Sequence, residues 1–275
     1  MERWLVVMNC QTYGMANCLQ AQIQNVEVLG MDITTLNSKH ELPYCDKLFS
    51  IPGVRKDLLE QMHIAASYIP LAVLQCRSFH PDLIYINHEE ESIFGPTSHY
   101  HSAIAFAAFS KGLSIADTKK LFNGSFYQKC GYIGWWPIEC SNIVKEFANS
   151  NIDIEDSIIH WGRYEAFMHS VNHPKIHVLY NIATKLIRKL GYAPCPGIMP
   201  HDNLANGACF AIYPEIAETL GVPGSYIFKI DNSYRPIDLD AFLHGCFATY
   251  DSYLPGSLKV HKEYERGFHR VLENI

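Results

Sequence analysis

The chain opens on an unbroken apolar run, Trp4 to Met8, that stops abruptly at Asn9-Cys10-Gln11-Thr12-Tyr13-Gly14. Apolar positions then recur with helical spacing at Met15, Leu19 and Ile23. A continuous apolar run of this length reads as a strand buried in a parallel sheet, and the change of period marks a turn from strand into helix. Val26 to Leu36 reads as a second strand and Leu48 to Pro52 as a third. Asp57 to Ala66 has helical spacing through Leu58, Met62, Ala65 and Ala66, and Ile69 to Cys76 reads as a fourth strand. Strands alternating with helices predict parallel βαβ units, so the fold class expected is α/β over roughly the first ninety residues.

Beyond that point the pattern is mainly helical. Ser102 to Lys111 is an apolar helix rich in Ala and Phe, and Ser114 with Asp117 has the form of a helix cap. Ile138 to Phe147 is also expected to be helical. The strongest periodicity is Lys175 to Leu190, where Ile176, Leu179, Ala183, Leu186, Ile187 and Leu190 share a face and Gly191 supplies the stop. Residues 192–210 are rich in Pro and Gly and irregular, and short helices are expected around 212–220, 238–249 and 260–272. The organisation expected is one domain over 1–275, with a soft boundary near residue 95 separating a βαβ core from a mainly helical part that covers it.

Composition narrows the function classes. With 275 residues, 48% hydrophobic and 18% charged, the chain is globular in type. A net charge of −6 without Lys/Arg runs argues against nucleic acid and against a polybasic membrane contact. No stretch of about 18 apolar residues exists to span a membrane, and the N-terminal apolar run is too short for a secretory signal. The 9 cysteines are scattered with no Cys-x-x-Cys pair, which suits reduced thiols in a cytoplasm better than a disulfide framework.

The strand-to-helix turn is the first place to look for chemistry, because α/β proteins bind ligands at the carboxyl ends of their strands. Free N–H groups and the helix dipole at such a turn favour an anion and would lower a cysteine pKa from about 8.5 into the range of roughly 3.5–7.5. Cys10 is therefore either a nucleophile or a buried residue filling the turn. Asn9 and Gln11 beside it would supply amide donors to an oxyanion, or serve only as turn residues. Phe79-His80-Pro81-Asp82 follows a predicted strand, so His80 is a candidate base with Asp82 to orient it.

Further downstream, Ser98-His99-Tyr100-His101-Ser102 opens the apolar helix, with Ser98 or Ser102 as cap and a histidine offered to a ligand pocket. Metal binding would require further ligands such as His80, His88 or Glu89, and no His-Glu-x-x-His occurs, so no metal is expected. Ser170 to Lys175 precedes the strongest helix and would either cap it or aim N–H groups at an anion, with Asn172 and His173 as substrate contacts and Lys175 nearby. Arg163, Lys111 and Arg188 are further cations that would meet phosphates, if they are not simply solvated. The aromatic run Gly131 to Pro137 would stack a sugar or an adenine, or belong to the core. Neither Gly-x-Gly-x-x-Gly nor Gly-Lys-Ser/Thr is present.

Taken in order, Asn9-Cys10-Gln11, Phe79-His80-Pro81-Asp82-Leu83, Tyr100-His101-Ser102, Lys111-Gly112-Leu113-Ser114, Gly131-Tyr132, and Asn172-His173-Pro174 leading to Leu190-Gly191 resemble the WcbI family of polysaccharide biosynthesis proteins. The likeness spans roughly residues 4–192. It implies an α/β core with added helices, coenzyme A binding near the cysteine turn, and transfer of an acetyl group from acetyl-CoA, as substrate, to a sugar hydroxyl of a capsule or related glycan. Carried onto this chain, it implies Cys10 as the cysteine, Gln11 as the amide beside it, and His80 or His101 as the histidine partner. Two other functions are open. An esterase or deacetylase of an acetylated glycan would share the layout of SGNH-type hydrolases, with Cys in place of Ser. A non-catalytic protein binding coenzyme A or a glycan would need none of this chemistry. The oligomeric state is not legible.

Overall fold

The computed structural model describes residues 1–39, 42–52, 54 and 67–275. The chain forms two compact units: residues 1–75, 140–162 and 172–205 in the first, and 76–139, 163–171 and 206–275 in the second.

The first unit holds the α/β core. Its elements begin with β1 (Glu2–Val7), α1 (Thr12–Gln20), β2 (Val26–Gly30), α2 (Ile33–Lys39), β3 (Lys47–Ser50) and β4 (Ser67–Pro70). All four strands are parallel, in the order β2-β1-β3-β4, and Trp4 lies in register with Val28 on one side and Lys47 on the other. β1 is central, which accounts for its apolar character on both faces. Leu5 and Val7 pack with Leu36, Cys45, Leu48 and Val54, whereas Trp4 packs on Phe49 with ring centroids 5.1 Å apart.

Two strands end earlier than their apolar runs suggest. The run from Val26 to Leu36 gives strand only to Gly30, because Asp32 starts a helix: its carboxylate accepts from the Thr35 N–H at 2.8 Å and the Thr35 hydroxyl at 2.8 Å. The run from Ile69 to Cys76 gives strand only to Pro70. Leu71, Leu74 and Cys76 are buried, yet the main chain at Leu74 pairs with the side chain of Gln11 rather than with a neighbouring strand. The helix expected over Asp57 to Ala66 lies outside the described residues.

The helix Ile176–Lys189 packs against α1 and buries Val178, Leu179, Ile182, Ala183, Leu186 and Ile187. Gly191 at φ +84° ends it. The two helices approach so closely that a Cβ at Gly14 would stand 2.7 Å from Leu179 Cδ1. Gln22, 1% exposed, ties the pair together: its side-chain amide donates to the carbonyls of Cys18 and Tyr180 at 3.0 Å each, and its main-chain carbonyl accepts from the Cys195 N–H at 2.8 Å.

The second unit is mainly helical around an aromatic core. Leu83–Ile84 pairs antiparallel with His101–Ser102, and Ile86–His88 pairs with Glu91–Ser92 and Leu258–Val260. The helices Ala103–Ser110, Leu239–Asp251 and Glu265–Asn274 pack together, and Phe228 stacks on Phe242 at 3.9 Å. Among the described residues no helix is long and apolar enough to cross a membrane.

Gly14→Val places a branched side chain against Leu179. It is expected to cost about 1–3 kcal/mol through overpacking, read as a lower thermal midpoint by circular dichroism. An unchanged midpoint would show that the two helices can separate without penalty.

Candidate active site

At the end of β1 the main chain satisfies its polar groups locally. The Met8 N–H donates to Thr12 Oγ1 at 3.0 Å, and that hydroxyl donates to the Asn9 carbonyl at 2.8 Å. Thr12 N–H also donates to the Asn9 carbonyl at 3.0 Å, and the Gln11 N–H donates to Asn9 Oδ1 at 3.1 Å. Gln11 is buried, and its Nε2 donates to the Leu74 carbonyl at 2.8 Å and the Asn172 carbonyl at 3.0 Å. Both amide protons of Gln11 are thereby used. The expectation that this side chain donates to an oxyanion is corrected: it is a strut that joins the turn to residues 74 and 172.

Cys10 is exposed, as an accessible thiol requires. Its Sγ lies 3.7 Å from the Asn172 carbonyl, to which the thiol donates. The Cys10 N–H has no acceptor among the described residues. The predicted acidity is not found. Desolvation pushes the thiol up to about 11 and outweighs the lowering by the N–H groups of Cys10 and Gln11. A bond from the neutral S–H to a carbonyl favours the protonated form in the same direction. The residue is open to solvent while its sulfur lies against Asn172, which reconciles exposure with a raised pKa.

Asn172 and His173 belong to the same unit as Cys10, and both are half-buried. Lys175 is the residue preceding the Ile176–Lys189 helix, but the first N–H of that helix donates to Asp202 Oδ2 at 3.0 Å. The chain's own carboxylate thus occupies the position expected for a bound anion.

The remaining candidates lie in the second unit. Asp82 is fully buried and does not orient a histidine. Its Oδ1 accepts from the Ile104 N–H at 2.9 Å and the Tyr132 hydroxyl at 2.8 Å, and its Oδ2 accepts from the Tyr213 hydroxyl at 2.6 Å. Burial raises its pKa to about 6 against these donors. Ser102 caps the Ala103–Ser110 helix, its hydroxyl accepting from the Ala105 N–H at 3.0 Å, and Tyr100 shares a bond of 2.9 Å with Ser170.

His101 is buried, with Nδ1 3.2 Å from the Tyr250 hydroxyl and Nε2 3.2 Å from the Ile93 carbonyl. His80 is also buried, with Nδ1 3.4 Å from the Ala211 carbonyl and no partner for Nε2. Desolvation lowers both histidines to about 4. Arg163 is exposed and lies over the neighbouring Tyr164 ring at 5.3 Å.

Sequence reasoning missed Glu139, whose carboxylate accepts from the Arg77 N–H at 2.5 Å, the Ser78 N–H at 2.5 Å and the Ser78 hydroxyl, and so holds the loop that leads to His80. A lone acid within an amphipathic helix carries no local signal for such a role. The contact of Cys209 Sγ with His169 Nδ1, at 4.0 Å, was equally invisible, since the residues are forty positions apart. Among the described residues no group of three or more His, Cys, Asp or Glu is arranged to hold a metal ion.

Two outcomes follow from these groups. In the free protein, alkylation of Cys10 by iodoacetamide should keep rising through pH 10, and a plateau near pH 7 would refute the raised pKa. His80 and His101 bind protons more weakly folded, at about 4, than unfolded, at about 6.5. Their contribution is present above pH 6.5 and is lost as pH falls toward 4, on the order of 3 kcal/mol each. Asp82 acts oppositely, since its raised pKa favours the folded state below about 4 and that contribution is lost as pH rises through about 6. Two histidines outweigh one carboxyl, so the thermal midpoint should fall from pH 6.5 to 4, with a shallower slope in His101→Gln.

The model of the polysaccharide biosynthesis enzyme WcbI family matches residues 3–194. A solved WcbI structure shares the fold, with a TM-score of 0.72 and 15% identity over 99% of this chain and 95% of that one. That protein is a polysaccharide biosynthesis enzyme, described in a native form without a disulfide bond between coenzyme A and one of its cysteines. No curated protein matches the sequence. With the family model covering well over half of its length, the chain belongs to the WcbI family of polysaccharide biosynthesis enzymes.

Proposed function

We propose that the protein is an acyltransferase that moves an acetyl group from acetyl-CoA to a sugar hydroxyl during polysaccharide or capsule assembly in the cytoplasm. The observation that carries the reading is the exposed Cys10 at the carboxyl end of β1, with an unpaired N–H beside it. The coenzyme A named with the solved relative supports the donor.

On this reading Cys10 Sγ attacks the thioester carbonyl and coenzyme A leaves as its thiol, taking the proton given up by Cys10. A sugar hydroxyl then attacks the Cys10 thioester, passes its proton to a base, and the cysteine thiol is restored. The Cys10 N–H and the amide of Asn9 are the donors left for the oxyanion, now that Gln11 is engaged. Loss of one such donor typically costs a hundredfold to a thousandfold in rate. His173 is the base this reading favours, because it follows the residue whose carbonyl touches the thiol. Asn172 sets the position of both. Asp82, Tyr100, Ser102 and His101 serve the second unit's structure.

A second reading is direct transfer from acetyl-CoA to the sugar, with Cys10 lining the site. It is favoured by the thiol's being held protonated.

Intact-mass analysis after acid quench separates the two. The covalent route is expected to add one acetyl group to the wild type and none to Cys10→Ser, whereas an unmodified Cys10 throughout turnover leaves direct transfer. Coenzyme A at a hundred times its Kd should stabilise the fold by about 2.7 kcal/mol in a thermal-shift assay. Absence of any shift, with acetate released from an acetylated glycan, would replace the transferase by an esterase. Absence of both, with Cys10→Ala fully active in cells, would leave a binding protein.

A further inference from the structure

The second unit contains a cavity of about 460 Å³, within the range of about 300–1,000 Å³ that small-molecule sites occupy. It lies where two helices end: Ser110 is the last residue of the Ala103–Ser110 helix, Asp251 is the last of Leu239–Asp251, and both line it. Phe106, Phe109, Tyr250 and Tyr253 supply aromatic surface. These rings are held in place, since Phe106 and Phe109 pack edge-on against Tyr250 with centroids 5.1 and 5.4 Å away, and His88 lies against Tyr253 at 5.0 Å. Leu254 lines the cavity while 80% exposed, so the space opens to solvent there.

The polar groups of the lining are oxygens that the fold leaves unused. Among the described residues no cation pairs with the Asp251 carboxylate, and the Tyr253 hydroxyl has no hydrogen-bond partner. Ser110 Oγ donates to the Phe106 carbonyl at 2.8 Å, which leaves its lone pairs to accept from a ligand. Among the described residues no Lys, Arg or His lines the cavity. The carboxylate and the negative ends of two helix dipoles disfavour an anion, which excludes a phosphate or a nucleotide. An alkyl chain would desolvate the carboxylate without giving it a partner. A pyranose meets both demands. Its C–H face is apolar and suits the negative face of an aromatic ring, and its hydroxyls donate to the Asp251 and Ser110 oxygens.

From this arrangement we propose that the cavity binds an uncharged sugar residue of the glycan on which this enzyme family works. An ammonium ion would also be drawn to rings beside a carboxylate; membership of a polysaccharide biosynthesis family decides for the sugar. The inference goes beyond the acyl-transfer reading, because the lining shares no residue with the Cys10 turn. Its role is to hold the glycan, and Asp251 is a binding residue with no part in the bond-making step.

The test is saturation-transfer NMR on the full chain with the methyl glycosides of glucose, galactose, mannose and N-acetylglucosamine, and with tetramethylammonium as a cationic probe. At least one glycoside is expected to receive saturation at its ring C–H protons. Its Kd is expected to rise about tenfold in Asp251→Asn, which removes a charge-assisted acceptor, and about threefold in Tyr253→Phe. Cys10→Ser is expected to leave that Kd unchanged. The proposal is overturned by saturation of none of the glycosides, by affinities equal in the wild type and both cavity variants, or by Asp251-dependent binding of tetramethylammonium alone. A glycoside signal lost in Cys10→Ser and kept in Asp251→Asn would assign the sugar to the Cys10 turn, removing the cavity site and leaving the transferase standing. Conversely, Asp251-dependent glycoside binding by a chain that never transfers acetyl from acetyl-CoA would keep the site and remove the transferase. If Asp251→Asn fails to fold, Tyr253→Phe carries the test: a threefold loss supports the site and an unchanged Kd refutes it.

Discussion

The main chain leaving β1 has to satisfy its polar groups inside a turn that buries Gln11 and Thr12, and the site is shaped by how it does so. Each buried N–H or C=O left without a partner would cost about 1–3 kcal/mol. Asn9, Gln11 and Thr12 meet that demand with side-chain bonds to the main chain. The side chains of Gln11 and Thr12 are thereby consumed by the fold, while Asn9 commits only its Oδ1. Cys10 stands among them as an exposed residue whose N–H has no acceptor among the described residues. The strut from Gln11 to Leu74 and Asn172 also explains why an apolar segment beyond β4 can run irregularly in the interior.

The second unit meets the same demand with charge. Asp82 accepts from a helix N–H and two tyrosine hydroxyls, so one carboxylate joins the chain at residues 104, 132 and 213. Its desolvation is the cost of that junction, and it explains why the carboxyl is raised while being so well bonded. His101 works similarly with neutral nitrogens, linking Ile93 to Tyr250. Buried polar groups of this kind make a network that is specific only while every member is satisfied. Among the described residues Arg77 Nε, His80 Nε2 and Thr97 Oγ1 are the exceptions, and they mark where the unit's polar arrangement is incomplete.

The parallel sheet and the strongest helix were legible because each carries its period over many residues. Trp4 to Met8 has no polar position at all, and Ile176 to Leu190 keeps one face through more than three turns. What escaped was set by partners distant in sequence. Nothing near Val26 to Leu36 reveals that Asp32 will cap a helix rather than interrupt a strand, since the decision rests on two bonds to Thr35. Cys10 was legible from its place at a change of period, and its exposure follows from that place. Its pKa did not follow, because desolvation and the contact with Asn172, 162 positions away, act against the donors that the turn supplies. Asp82 and His101 looked like chemistry in the sequence because polar residues flanked by apolar ones are informative in either role. Only the number of bonds each makes tells the roles apart.

A thiol at about 11 leaves only about one molecule in ten thousand as thiolate at pH 7. That is a poor resting state for a nucleophile and a good one for a cysteine that must survive at a protein surface, where thiolates are alkylated and oxidised. The raised pKa carries a compensation, because nucleophilicity rises with basicity, with a Brønsted slope of about 0.4–0.5. A thiolate produced only when a base withdraws the proton in the presence of substrate is therefore more reactive per molecule than one kept acidic throughout. The Asn172 carbonyl is the switch such a scheme needs. It accepts from the neutral thiol, and it belongs to the residue immediately before His173. Movement of that short segment would exchange a carbonyl that keeps the thiol neutral for an imidazole that can remove its proton.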